Sequence, residues 1–323
     1  MERMTLRPLE FASPWTAIDV LLSKSQKRWL KPKLLRAQER LVRAFLSYGE
    51  PELLGALRRI GVRAGDSVML HSAFKSTHGF RGSIDQLTNV FLDAVGPGGH
   101  LLMVSLPYRS SSLDYLNRGK VFDVRRTPSL MGLISEMFRL RPDVRRSVHP
   151  THPVLAWGPR AGWFVDDHPG CRFPCGPGSP FDKLAADDGQ AVFFNVALAN
   201  FTFFHYLEHL VSDQLPFALY TPDLIDAAVI DHDGERRIVR THVFTADAIR
   251  RRRFAVLEDG LRARGLIRSQ RVGASRILAV RVRDAIECVT DMARHGVFFY
   301  DTSDLGPPSV RPIAPRDVRD PNQ

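Results

Sequence analysis

Cysteine is scarce in this chain: three in 323 residues, at Cys171, Cys175 and Cys288. So low and odd a number in a chain this long excludes a disulfide framework. Cys171 and Cys175 stand four apart in a loop rich in Gly and Pro, with no second pair to complete a zinc site, so they read as reduced thiols and no metal is expected. No apolar run approaches the length that crosses a bilayer, and the opening MERMTLRPLEFASPW lacks the basic-then-apolar pattern of an export signal. A cytoplasmic location without membrane contact is therefore expected. Neither GxxxxGK nor GxGxxG occurs, which excludes the usual phosphate-cradling nucleotide loops. Internal repeats and low-complexity stretches are also missing.

What remains is an ordinary globular composition with a basic balance. The chain is 44% hydrophobic, enough to bury a large core, and carries 45 Lys and Arg against 35 Asp and Glu, a net charge of +10. The basic residues come in short clusters: KSQKRWLKPKLLR, Arg139 to Arg146, and Arg250 to Arg253. Such clusters suit solvated helix faces first and a rim for a small polyanion second. With no helix-turn-helix, zinc finger or aromatic RNA-binding signature beside them, nucleic acid is not expected as a partner.

Periodicity divides the chain into a basic helical arm over residues 1–48, a main domain over 49–304 and a flexible tail over 305–323. In the arm, Trp29, Leu34, Leu35, Leu41, Val42, Phe45 and Leu46 recur at helical spacing and suggest a packing helix. DSVMLHSAF reads as a buried strand, Ser83 as the N-cap of IDQLTNVFLDAV, and HLLMVSLPY as a second strand after Gly96-Pro97-Gly98-Gly99, a βαβ-like unit. Arg109 to Arg126 reads as a polar excursion over a site, Leu130 to Leu140 as a helix, VLAWG as a strand, and His168 to Pro180 as a shaped loop. AVFFNVAL is a further strand. Asn200 or Thr202 is expected to cap the helix carrying His205 and Glu208. A hairpin is expected around Asp231-His232-Asp233-Gly234, one helix over Asp247 to Arg264, a strand over Ser275 to Val282 and a last helix over Asp284 to His295.

His205 and Glu208 are three apart, so a helix places them on one face within reach of each other. A His near neutrality accepts a proton, and a carboxylate beside it fixes its tautomer and raises its basicity. From spacing alone an ordinary solvated pair is the commoner outcome. A zinc-protease arrangement is excluded, because Glu208 falls where that motif has neither ligand nor base.

Five ordered landmarks, VMLHSAFKS, DAVGPGGHLLM, RRSVHPTHPVLAWG, CGPGSPFDKL and FTFFHYLEHL, resemble the aminoglycoside 3-N-acetyltransferase family over roughly residues 61–212. The resemblance implies a layered α/β sandwich with a mixed central sheet flanked by helices, unrelated to the more common acetyltransferase fold. It also implies transfer from acetyl-CoA to an amine by direct attack in a ternary complex, with antibiotic resistance as the associated role. By the same resemblance His205 is the base and Glu208 its orienting partner. His71, Ser72, Phe74, Lys75 and Ser76 follow the first strand and hold the CoA arm. Arg145 or Arg146 meets a CoA phosphate, Arg146, Ser147, His149 and Pro150 form the arginine-serine-x-histidine-proline signature, with His149 orienting the thioester or cofactor arm, and Ser179 bonds the thioester region. Cys175 as a covalent acyl carrier is the disfavoured route.

Three positions depart from the family pattern: Asn195 where Gly is usual, Pro153 where Ser is usual, and the strand ending MVSLPY. The supply of carboxylates for a polycationic acceptor is thin: Asp114, Asp123, Asp213, Asp223 and Asp226. An amino sugar with one amine suits the charge better. Partners expected are thus a small-molecule amine, with self-association left open. The alternatives are a biosynthetic acyltransferase using another acyl-CoA or acceptor, and a non-catalytic phosphate- or nucleic-acid-binding protein on the same fold.

Overall fold

The computed structural model describes residues 24–75 and 78–305. Residues 1–23 of the expected arm, Ser76 of the expected CoA loop and nearly all of the expected tail lie outside that set. Runs of apolar residues without alternation form the centre of the molecule. These are β1 (Ser67–Ser72), β2 (His100–Val104) and β6 (Gln190–Phe194), whose side chains are buried on both faces, apart from the half-buried Ser72 at the end of β1. Strand β1 pairs in parallel with both β2 and β6, with Met69 opposite Leu102 on one side and Ala191 on the other.

The remaining strands run antiparallel and complete a seven-stranded mixed sheet in the order β4-β5-β2-β1-β6-β10-β9. They are β4 (Arg145–Arg146), β5 (Val154–Trp157), β9 (Arg268–Val272) and β10 (Ser275–Arg281). The polar edge strands β4 and β9 go beyond the sequence expectation.

Because side chains alternate along a strand, the sheet buries two separate cores. On one face Val68, Leu70 and Phe194 pack with Leu53, Phe91 and Phe138. Those last three come from α2 (Glu50–Ile60), α3 (Ile84–Val95) and α5 (Leu133–Arg139). On the other face Met69, Phe193 and Leu278 pack with Phe181, Leu207 and Val289. These belong to α7 (Pro180–Ala186), α8 (Phe204–Leu210) and α11 (Val282–Arg294), and α6 (Ala161–Val165) adds Phe164 to the same core. This is the layered α/β sandwich expected from the sequence. A second sheet, β3-β7-β8, sits beside it: β3 (Phe122–Asp123), β7 (Ile225–Ile230) and β8 (Arg236–Thr241) enclose Phe122, Val229 and Val239.

Several local expectations hold. Ser83 caps α3, its hydroxyl accepting from the Gln86 amide at 3.1 Å while the Gln86 side chain returns to the Ser83 amide at 2.9 Å. The Asp231 carboxylate turns the β7–β8 hairpin by accepting from the amides of Asp233 and Glu235, each at 3.0 Å. Asn195, in a position that favours Gly, has φ +57, and its side chain compensates by bonding the Arg276 amide and the Ser275 hydroxyl.

Others are corrected. Neither Asn200 nor Thr202 caps α8: Phe203 occupies the N-cap without a side-chain bond, and the Asn200 amide instead donates to the Ala197 carbonyl. The excursion over Arg109 to Arg126 contains α4 (Ser112–Asn117) and β3. The helix expected from Leu130 begins only at Leu133, after Gly132 at φ +122. Among the described side chains of the expected stripe along and just after α1 (Lys24–Phe45), Val42 alone is buried, and Phe45 is 79% exposed. The helix expected over Asp247 to Arg264 is two, α9 (Ala246–Arg251) and α10 (Phe254–Ala263). Arg252 between them is extended and pairs its backbone with Tyr300.

Candidate active site

Helix α8 brings the expected pair together. His205 Nδ1 lies 2.7 Å from Glu208 Oε2, and the Glu208 side chain is completely buried. An ionised carboxylate only accepts, so Nδ1 carries the proton and Nε2 keeps the lone pair. The interruption between α9 and α10 supplies what neutralises the carboxylate. Arg252 Nε donates to Oε1 at 2.6 Å and Nη2 to Oε2 at 2.9 Å, and the Tyr300 hydroxyl also donates to Oε1. Four donors thus fix one buried carboxylate. Burial alone would raise Glu208, but the charge of Arg252 and the bond from His205 outweigh it and hold the carboxyl below its ordinary value.

His205 responds in the opposite sense to the expectation of raised basicity. Burial and the nearby Arg252 charge lower its pKa, and the attraction of Glu208 offsets them only in part. The imidazole is consequently neutral at pH 7, the state a base requires. The rings of His152, Phe204 and Phe244 pack round it with centroids at 5.5, 5.9 and 4.9 Å. Its remaining exposed surface, 19% of the side chain, belongs to the wall of a cavity of about 520 Å³.

His71 and Ser72, at the end of β1, line this same cavity. His71 is 7% exposed, stacks on Phe193 at 4.9 Å, and its Nε2 has no hydrogen-bond partner among the described residues. With no charge nearby to offset burial, its pKa falls to about 3, so this ring too is neutral. Phe74 turns away to pack on the core between α2, α3 and the sheet, and Lys75 is exposed outside the cavity wall.

The other expected residues lie behind the site rather than in its wall. Arg146 is buried over the Phe122 ring and donates to the carbonyls of Val124, Thr127 and Ser105, so its position does not suit the phosphate contact expected of it. The Ser147 hydroxyl accepts from the Val154 amide at 2.9 Å and meets His168 Nδ1 at 2.8 Å. His149 stacks on His168 at 4.3 Å, and its Nδ1 accepts from the amides of Thr151 and His152. Ser179, fully buried, caps α7 by accepting from the Asp182 amide. The hydrogen bonds these four make all go to groups inside the protein, while the buried Arg146 Nε and His149 Nε2 have no partner among the described residues. Pro153, the second departure from the family pattern, accepts from the Ser105 amide through its carbonyl.

Sequence reasoning missed Arg252 and Tyr300. Arg252 was visible only as one of four consecutive arginines, which read as a solvated face, and nothing in the sequence tied Tyr300 to α8. Among the described residues no group of three or more His, Cys, Asp or Glu is placed to hold a metal, and no helix is long and apolar enough to cross a membrane.

By fold and site this is a layered α/β sandwich that presents to a cavity an imidazole held by a buried, arginine-neutralised carboxylate. The chain belongs to the aminoglycoside 3-N-acetyltransferase family, whose model matches residues 69–294. It is similar to aminoglycoside N(3)-acetyltransferase IV from Salmonella sp., 28% identical over 269 residues, covering 82% of this chain and 95% of that protein. Aminoglycoside N(3)-acetyltransferase III from Salmonella sp. is 29% identical over 165 residues, covering 47% of this chain and 57% of the relative. The chain thus spans little more than half the length of that relative. The solved structure of AAC-IIIb in a binary complex with CoASH matches with a TM-score of 0.65 at 23% identity, over 77% of this chain and 97% of that one.

Proposed function

We propose that this protein transfers an acetyl group from acetyl-CoA to the amine of an aminoglycoside or amino-sugar-like small molecule. The observation that carries the reading is the neutral His205, its proton fixed on Nδ1 by Glu208 and its other nitrogen free to act at the cavity. An amine attacks only through its lone pair. Nε2 of His205 takes the proton as the nitrogen bonds the acyl carbon, the carbon–sulfur bond breaks, and CoA leaves as the thiolate. Glu208 stabilises the imidazolium that results, and Arg252 keeps Glu208 ionised. Similarity to aminoglycoside N(3)-acetyltransferases and to a CoASH-bound relative supports both substrates.

His71 and Ser72 hold the acyl end of the donor in this reading, the unpartnered imidazole meeting a carbonyl oxygen of the thioester or its arm. Lys75 and Ser76 serve the outer part of CoA, and Phe74 supports the loop from below. Arg146, Ser147, His149 and Ser179 act on the site through the scaffold. The three free, buried cysteines fit a reducing compartment such as the cytoplasm.

A thiol-release assay with acetyl-CoA and an amine panel tests this. His205→Ala should lower kcat by about a hundredfold or more while calorimetry finds CoA binding retained. Unchanged turnover in that variant would remove the base assignment.

A further inference from the structure

The carboxylate that holds His205 is itself held from a stretch beyond the family match, which ends at residue 294. Residues 299–304 cross the break between α9 and α10 as a short antiparallel strap. The Arg253 amide donates to the Phe299 carbonyl at 2.8 Å and the Asp301 amide to the Arg251 carbonyl at 2.7 Å, so Tyr300 lies opposite Arg252. Both reach Glu208 from this paired backbone. Arg252 gives the carboxylate two bonds, and the Tyr300 hydroxyl gives one to Oε1.

The neighbouring arginines tie the strap down. Buried Arg251 donates from Nη1 and Nη2 to the Asp304 carboxylate at 2.5 and 2.8 Å, and from Nη1 to the Asp301 carbonyl at 3.0 Å. Arg253 pairs with the Asp301 carboxylate. A run that reads in sequence as a solvated face thus divides its work: Arg251 and Arg253 grip the strap while Arg252 grips Glu208. On the inner side Phe299 packs on the Phe204 ring at 4.9 Å, and Phe204 lines the cavity. The Tyr300 ring packs edge-on against Phe217 at 5.1 Å.

Burial and the Glu208 charge hold the Tyr300 phenol far above its ordinary pKa, so it stays a donor. Its bond fills Oε1 beside Arg252, while Oε2 serves Arg252 and His205. With both oxygens doubly bonded, the carboxylate is held against rotation, and its charge is shared among four donors. The other titratable groups facing this pair are His152, Cys175 and Tyr220. Burial lowers the first and raises the other two, so none of them changes charge near neutrality.

We infer that residues 299–304 are a positioning element of the active site, and that Tyr300 is the positioning residue that aims the Glu208 carboxylate at His205 and tempers its charge. This rests on His205 acting as the base in the acetyl-transfer reading, and it makes that base depend on a stretch outside the family match.

The test is a thiol-release assay on the full-length protein from pH 5 to 8.5, with acetyl-CoA and the amine of a panel that the parent acetylates fastest. Tyr300→Phe keeps the ring and removes one donor. Its kcat should fall about tenfold and the acid limb of kcat/KM should rise by about half a pH unit, while CoA affinity by calorimetry stays within about twofold. Asp304→Asn, at a carboxylate 61% exposed and outside the cavity wall, loosens the strap and should move the limb the same way by less. The double variant should lose no more than Tyr300→Phe does, within about twofold, because both changes act through one hydroxyl. A merely structural role would reduce the amount of folded enzyme and leave the limb in place. An unmoved limb in either single variant, or losses that multiply in the double variant, overturns the inference and leaves acetyl transfer standing. If Tyr300→Phe does not fold, the limb of Asp304→Asn decides in its place. Parent-level turnover in His205→Ala overturns the base assignment, and the inference falls with it.

Discussion

Arg252 grips Glu208 with two hydrogen bonds, 2.6 Å from Nε and 2.9 Å from Nη2, from a residue 44 positions further along the chain. The grip fixes the charge balance at His205, because Arg252 pushes the imidazole pKa down while Glu208 pulls it up. The wild-type acid limb of kcat/KM should therefore lie below the ordinary histidine value of 6.5. In Arg252→Gln the push disappears and the limb moves to higher pH. Stability should drop by about 3–5 kcal/mol, since one member of a buried ion pair is left alone. A pH–rate profile with urea unfolding at pH 7.5 reads both, and an unmoved limb would separate Arg252 from the catalytic balance.

Cys175 is wholly buried, and burial together with the nearby Glu208 charge holds its thiol well above the ordinary value. A protonated thiol is a poor nucleophile, so acetyl-CoA alone should leave no acetyl group on the protein. Cys175→Ser should keep kcat within about threefold of the parent. Intact-mass spectrometry after incubation with acetyl-CoA checks this. An acetylated protein that loses its label on adding amine would replace direct attack with a two-step route.

The parts of this molecule that could be read in the sequence are those whose cause is local or periodic. SVMLHS, HLLMV and QAVFF are apolar without alternation because both faces of the sheet are covered. Ser83 announced its helix because a hydroxyl followed by Gln86 is a complete cap in itself. His205 and Glu208 were legible because three residues of helix suffice to join them. The break at Arg252 was not, since Asp247 to Arg264 is amphipathic throughout and only a tertiary contact interrupts it. The edge strands Arg145–Arg146 and Arg268–Val272 were not legible as strands for a related reason: an edge strand shows half its side chains to water and lacks an apolar run.

Buried histidines set a second pH dependence, this time of stability. His71 and His168 have pKa values brought down to about 3 by burial, and burial holds His149 and His152 well below the ordinary value as well. In the unfolded chain these rings titrate near 6.5. Below that pH the unfolded chain takes up protons that the folded protein refuses, so stability is full above 6.5 and declines as pH falls. Each such ring contributes a slope of about 1.4 kcal/mol per pH unit once the unfolded form is fully charged. The carboxylates do not blur this window, because their unfolded values lie near or below about 4.3 and their losses begin there. Urea midpoints measured at pH 7.5, 6 and 5 should therefore fall steeply between the last two. His168→Asn should lower the slope by about one proton, even though losing the bonds to Ser147 and Pro174 weakens the fold at every pH. A midpoint that stayed level from pH 7.5 to 5 would show that these rings take up protons in the folded state, and the neutral layer behind His205 would have to be redrawn.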